Sequence, residues 1–315
     1  MGSSKSARVR SVVTAIAAAT VVVAGSVVVG SGTAVADPSC AGAGGPSAVV
    51  ARIPGAALEG LAVDASGRAY VTDIVSGRVF RIDAPGQAAY PIATVPSGGG
   101  GALAWMPDGT LLVGYGADPR VFVGDIVKAA GIVRLDVNTL TVTPFATGLS
   151  AANGLAVAAD GTVYATNDFG SLIGRIGPDG SVDPAWASFP SANGAVLDAA
   201  DRYLYVSRTF VNPGVSRIPL ADPSAPESVL DLTGLDSFAA PDGLTLDDAG
   251  RPVVPLNAGG SVVRIDAPGT TCVIGTGTRL TSVVAYGRSD QGFSNGRLFG
   301  AGFDGVVREI PGSTA

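Results

Sequence analysis

From residue 48 onward, short apolar runs alternate with turns rich in Gly and Asp, and no stretch holds a helical period. Within the runs apolar and polar residues alternate, which predicts antiparallel strands joined by tight turns. The pattern recurs at intervals of about 40 to 50 residues, the spacing of propeller blades. The first unit reads Glu59-Gly60-Leu61-Ala62-Val63-Asp64, turns at Ser66-Gly67 and resumes at Ala69-Tyr70-Val71. Later units open at Gly101, at Asn153-Gly154-Leu155, at Asn193-Gly194 and at Asp242-Gly243-Leu244, with a weaker sixth near Thr281-Ser282-Val283. The expected fold is all-β, a six-bladed β-propeller of four-stranded antiparallel blades. The early run Ala48-Val49-Val50-Ala51-Arg52-Ile53 is expected to join the last blade and close the ring.

The first 36 residues have a different pattern. Lys5, Arg8 and Arg10 precede an apolar run from Val12 to about Val29, and Ala34-Val35-Ala36 follows. A basic head, an apolar middle and an Ala-x-Ala end describe a signal peptide cut after Ala36, so residues 37–315 form the expected mature, secreted propeller domain. A retained anchor is the alternative; no later run is long enough to span a bilayer.

The leader holds three of the 20 basic residues and none of the 26 acidic ones, which leaves the mature chain at −9. With Lys128 as its only lysine, it does not suit nucleic acid or anionic membranes as partners. Cys40 and Cys272 are expected to pair in an oxidising compartment, with free thiols as the alternative.

Glu59, Asn153, Asn193 and Asp242 each stand directly before Gly. A second Gly follows eight positions later at Gly67, Gly161 and Gly250, with Asp201 in that place in the fourth unit. They therefore share one register, at the start of the innermost strand, and face one another across the channel. Any one such pair is equally an ordinary turn dipeptide. Together, two carboxylates and two carboxamides make a hard-oxygen site suited to Ca²⁺, with Mg²⁺ and Mn²⁺ as alternatives.

The ordered Glu…Asn…Asn…Asp set and Pro241-Asp242-Gly243-Leu244 resemble the superfamily of gluconolactonases, regucalcin (senescence marker protein) and diisopropylfluorophosphatase. The resemblance implies catalytic calcium in the channel, Glu59, Asn153, Asn193 and Asp242 as its ligands, and Asp242 as base or nucleophile. The first motif reads Glu-Gly-Leu where the family commonly has Glu-Gly-Pro, and the fourth reads Asn-Gly-Ala without the usual aromatic.

The chain has no histidine, which excludes Ser-His-Asp and Cys-His nucleophile systems and His-zinc centres. Gly292-Phe293-Ser294-Asn295-Gly296 spells a hydrolase pattern but lacks a strand-turn-helix context. Metal-assisted hydrolysis of a lactone or ester remains, with a small-molecule substrate and a monomeric enzyme. Residues ending the second strands are expected at the rim: Asp73, Tyr115, Asn167, Asp168, Arg208 and Asn257. Of these, Asp168 and Arg208 are the expected substrate contacts. The alternative from another class is a non-catalytic extracellular binding propeller with structural calcium.

Overall fold

The computed structural model describes residues 45–311. The leader and Cys40 lie outside them. Six four-stranded antiparallel sheets form a ring, as the repeat predicts. Their innermost strands are Leu58–Val63, Gly100–Trp105, Leu155–Val157, Ala192–Leu197, Thr245–Leu246 and Thr281–Tyr286. In the sixth blade the outermost strand is Ala48–Arg52, which pairs antiparallel with Val306–Ile310 and closes the ring.

Each blade packs on both faces, so its strands bury nearly everything: all six residues of Leu58–Val63 are buried. The apolar side chains gather into clusters between neighbouring blades. One joins Leu103, Leu111 and Val133 of the second blade to Tyr70 and Val79 of the first. Another brings Leu61 and Phe80 against Phe293, Phe299 and Val307 across the closure. Burial of this kind, at roughly 25 cal/mol per Å² of apolar surface, holds one blade to the next.

The turn after each innermost strand explains the Gly eight positions past the opening. Gly67, Gly109, Gly161 and Gly250 have φ between +75° and +87°, the left-handed region glycine occupies without a Cβ penalty. Asp201 takes the same conformation in the fourth blade at φ +49°, which Asp tolerates better than most residues.

The Gly beside each opening residue answers a different demand. Gly60, Gly154, Gly194 and Gly243 do not have positive φ. A Cβ on Gly154 would lie 2.2 Å from the Asn193 carbonyl oxygen, and one on Gly60 would lie 2.7 Å from that of Gly101. The same close approach joins Gly194 to Gly243 and Gly243 to Ser282. These are not turn dipeptides. They are the places where each innermost strand touches the next around the channel. Thr72 bridges one such contact, accepting from the Gly60 N–H at 2.8 Å and donating to the Gly101 carbonyl at 2.6 Å. Thr166 does the same between Gly154 and Asn193.

Two helical pieces were not legible in the apolar pattern. Between the second and third strands of the second blade, a 3-10 turn, Pro119–Val123, runs into one helical turn, Gly124–Val127. A second 3-10 turn, Gly234–Phe238, precedes the fifth blade. Both are too short to show a period. No helix among the described residues is long and apolar enough to cross a membrane.

Candidate functional site

Cross-strand pairing fixes where the opening residues stand. Leu58 pairs with Asp73, Gly100 with Tyr115, Ala192 with Arg208, and Pro241 with Leu256. Glu59, Gly101, Asn193 and Asp242 therefore occupy one register, and Asn153 takes it in the third blade through its N–H to the Thr166 carbonyl. In the sixth blade Thr281 pairs with Gly302, which places Ser282 there; its hydroxyl is tied to the carbonyls of Leu58 and Ala301. First strands descend from this end of the channel and second strands return to it. We call it the ligand face.

Three carboxyls at this level lie near enough to raise one another's proton affinity. Glu59, Asp168 and Asp242 are all buried. Burial pushes Asp242 up to about 8, and the nearby Asp168 adds to the rise, against hydrogen bonds from Asn257, the Gly243 N–H and Asn193. Burial also raises Asp168 to about 6, against the pull of Asn153 and of backbone N–H groups. Glu59 is driven well above the carboxylate range by burial first, then by Asp242 and Asp168. The sequence places Asp168 at the rim as a substrate contact; the structure makes it the third acid of the cluster.

A second register orients these groups. It is the residue fifteen or sixteen positions after the opening residue, one step past the second strand in the first, second, fourth and fifth blades and three past it in the third. Asn257 donates through Nδ2 to Asp242 Oδ2 at 3.0 Å, and the Gly243 N–H donates to Asp242 Oδ1 at 3.0 Å. Asn193 donates through Nδ2 to the Thr209 hydroxyl at 2.9 Å, which turns its Oδ1 the other way. Thr209 in turn donates to the Pro241 carbonyl at 2.7 Å, beside Asp242. Asn153 supports the charge on Asp168. In the first blade this place holds Ile74, which cannot serve Glu59. Glu59 Oε2 is accordingly buried without a hydrogen-bond partner, as is Asp168 Oδ1. Thr209 was not among the sequence candidates; it stands sixteen residues after Asn193, where Asp168 and Asn257 stand fifteen after their opening residues, so a constant spacing would have pointed to Arg208 instead.

Of the other rim candidates, Tyr115 packs against an apolar cluster, and Asp73, Asn167 and Arg208 bond the scaffold, with Arg208 Nε buried and unpartnered. Arg208 ends its strand as expected, but its guanidinium donates to Asp231 Oδ1 at 2.6 Å and to the Leu230 carbonyl at 2.7 Å within its own blade. Asn167 donates to the Ser150 hydroxyl at 2.7 Å and to the Val121 carbonyl at 3.3 Å. Asp73 accepts from the N–H groups of Ala57 and Val75 and from Ser76. Ser294 of the Gly-x-Ser-x-Gly run lies in the connection between Thr281–Tyr286 and Leu298–Gly302, at the far end of the channel, with no helix after it.

The raised acids set a pH dependence. A carboxyl with a folded value above its unfolded one near 3.8 binds protons on folding, so its contribution is full at low pH and lost as pH rises through the folded value. In chelator, the melting temperature should fall from pH 5 to pH 8 as Asp168 and then Asp242 ionise. Scanning calorimetry across that range checks it; a melting temperature rising throughout the interval would contradict it.

No protein-family model matches the chain, and no curated protein sequence matches it. Solved structures do. A gluconolactonase from Xanthomonas campestris is 18% identical with a TM-score of 0.68, over 87% of this chain and 93% of that one. Regucalcin from Agrobacterium tumefaciens, a calcium-binding protein, is 19% identical with a TM-score of 0.65, over 85% and 93%. A catalytically inactive His-to-Ala variant of virginiamycin B lyase from Staphylococcus aureus is 14% identical with a TM-score of 0.54, over 82% and 86%. At these identities the likeness is one of fold.

Proposed function

We propose that this chain is a secreted, calcium-dependent hydrolase of lactones or esters, acting at the ligand-face mouth of the propeller channel. One observation carries the reading: three buried acids share a site in which two carboxylate oxygens, Glu59 Oε2 and Asp168 Oδ1, have no partner. Buried unpaired acids are costly, and a hard cation is the partner that both oxygens lack. Among the described residues no three His, Cys, Asp or Glu side chains form a metal-binding group by themselves. The donor set that fits is therefore mixed: Glu59, Asn153, Asn193 and Asp242, with Asp168 as a further carboxylate. The lactonase and regucalcin neighbours support this reading over a lyase. One lyase of this fold is inactive after loss of a single histidine, and this chain has none.

Glu59, Asn153, Asn193, Asp242 and Asp168 would hold a divalent cation here, which when bound would supply Lewis-acid stabilisation of the charge developing on a carbonyl oxygen. The chain's own residues do the rest. Asn257 and the Gly243 N–H hold the Asp242 carboxylate in one orientation, and each of its oxygens keeps a lone pair. Ionised Asp242 takes a proton from the attacking water and returns it to the leaving alkoxide, so ester or lactone and water give acid and alcohol. A screen of lactones and aryl esters, with and without chelator, tests the proposal. Turnover abolished by chelation while circular dichroism is unchanged supports it. No turnover on any substrate sinks it.

Calcium should also stabilise the fold, because the donors come from separate blades and meet only in the native state. At a hundredfold excess over the dissociation constant the gain is about 2.7 kcal/mol. Glu59→Gln should cut this gain, as read from calorimetric melting with and without calcium. An equal gain in the variant would remove Glu59 from the donor set.

The exported form should begin at Asp37 and carry a Cys40–Cys272 disulfide. Supporting the pairing, the described chain enters beside the strand Thr270–Thr276, where Pro46 bridges Thr276 in parallel and Cys272 is buried. A loop of this length is stabilised by about 5 kcal/mol at most in the chain-entropy account. Intact mass with and without reduction checks both points; a retained leader, or two thiols alkylated without reduction, contradicts them.

A further inference from the structure

Polar and apolar residues divide unequally at the mouth. The polar strand ends Asp73, Asn167 and Arg208 bond backbone and neighbouring side chains, with Arg208 Nε left buried and unpartnered. Beside exposed polar residues such as Arg120, Asn212 and Asp236, the rim exposes a large apolar set. Ten of the twelve large hydrophobic residues exposed among the described ones lie on ligand-face connections; the other two are Val49 and Leu140. Three are phenylalanines in mutual contact across the second, third and fourth blades. Phe122 and Phe169 have ring centroids 4.4 Å apart, and Phe169 stacks on Phe210 at 5.0 Å with 25° between planes.

Their positions tie this wall to the acids. Phe169 follows Asp168 directly, and Phe210 follows Thr209. The Phe169 N–H donates to Asn167 Oδ1 at 2.9 Å and the Phe210 N–H to the Ser191 hydroxyl at 2.8 Å, so both backbones are held. Phe122 is carried by the helical insertion of the second blade. That insertion is pinned to the third blade by Asp125, which accepts from the Ser150 hydroxyl at 2.6 Å and the Ser171 N–H at 2.8 Å. The rings are therefore built on anchored loops, yet remain 38 to 48% exposed.

We propose that this wall selects the substrate: a lactone or ester whose carbonyl reaches the acid cluster and whose alkyl or aryl body lies against Phe122, Phe169 and Phe210. The three rings offer no hydrogen bond to a polyhydroxylated lactone, which therefore gains less from the wall than an alkyl or aryl one. The inference rests on the hydrolase reading for its carbonyl group, but the wall can be tested without turnover.

One arm measures kcat/KM across lactones with alkyl chains of increasing length, beside a hexose-derived lactone. Each methylene buried should raise kcat/KM by up to about fourfold. The other arm measures calorimetric binding of the corresponding alkyl lactams, which resist hydrolysis. Their affinity should rise with chain length in the wild type, and Phe169→Ser with Phe210→Ser should flatten that slope. Lactam binding that follows chain length with no turnover anywhere upholds the wall and overturns the hydrolase. A hexose-derived lactone preferred to every alkyl one, or wild-type lactam binding indifferent to chain length, overturns the wall. So does Phe-dependent binding to phosphatidylcholine vesicles without chain-length selectivity, since the rings would then serve a lipid surface.

Discussion

Asp242→Asn should lower hydrolysis by about 10²–10⁴-fold, and saturating calcium should not restore it. The substitution keeps the size of the side chain and one ligand oxygen but removes its charge and its basicity. Both wild-type oxygens accept hydrogen bonds, from Asn257 and from the Gly243 N–H. An asparagine must present its NH₂ to one of those donors, which adds a misorientation to the lost base. Asn193→Ala provides the contrast. It removes an amide held by Thr209 and should mainly weaken calcium affinity, with part of the rate returning as calcium is raised. Rates of both variants titrated against calcium check this. Full recovery of Asp242→Asn at saturation would make Asp242 a ligand and nothing more.

Gly154→Val should destabilise the propeller by about 1–3 kcal/mol or more and remove calcium binding with it. The added Cβ meets the Asn193 carbonyl at 2.2 Å and the Thr166 hydroxyl at 2.6 Å, both fixed by the bond between them. Relief requires the third and fourth blades to part where Asn193 is positioned. Gly109→Ala is the control. Its turn has φ +83° and open space around the new methyl, so it should cost about 1–2 kcal/mol of backbone strain while calcium affinity is kept. Thermal melts and calcium titrations of both proteins separate the cases. Gly154→Val melting with the wild type would show that this contact is not needed.

The repeat was legible because tight turns demand particular residues. Positive φ selects Gly67, Gly109, Gly161 and Gly250 at four of these reversals, so their spacing and the opening dipeptides set the register, while the sixth unit, with Asp290 in that place, was the weaker one. The rim was harder for a physical reason. Successive strand residues point to opposite sides, so one position decides between channel and scaffold. Asp73 and Arg208 stand at the last paired position of their strands and Asn167 two residues past its own, and their side chains serve the scaffold. Asp168, Thr209 and Asn257 stand one step further and meet the opening residues. The strand-end candidates mixed the two positions. No local pattern separates Asn167 from Asp168; only the cross-strand register does.

Ring closure by Ala48–Arg52 has a consequence for how the molecule can be made. The strand nearest the start of the described chain completes a sheet whose other three strands come last, from Thr281 to Ile310. Ser282 donates to the Leu58 carbonyl across 224 residues of chain, and Ser47 to that of Gly277 across 230. No nascent chain can form the first of these contacts, or pair Ala48–Arg52 with Val306–Ile310, until its final blade has been synthesised. Until then the first and last blades each expose an apolar face and strand edges ready to pair with another chain. Such long-range pairing is slow. A chain cut short by one strand at either end would thus lose more than that strand. It would break the outer pairing of Ala48–Arg52 with Val306–Ile310 and leave the inner contact of Ser282 with Leu58, beside Glu59, to hold the ring closed.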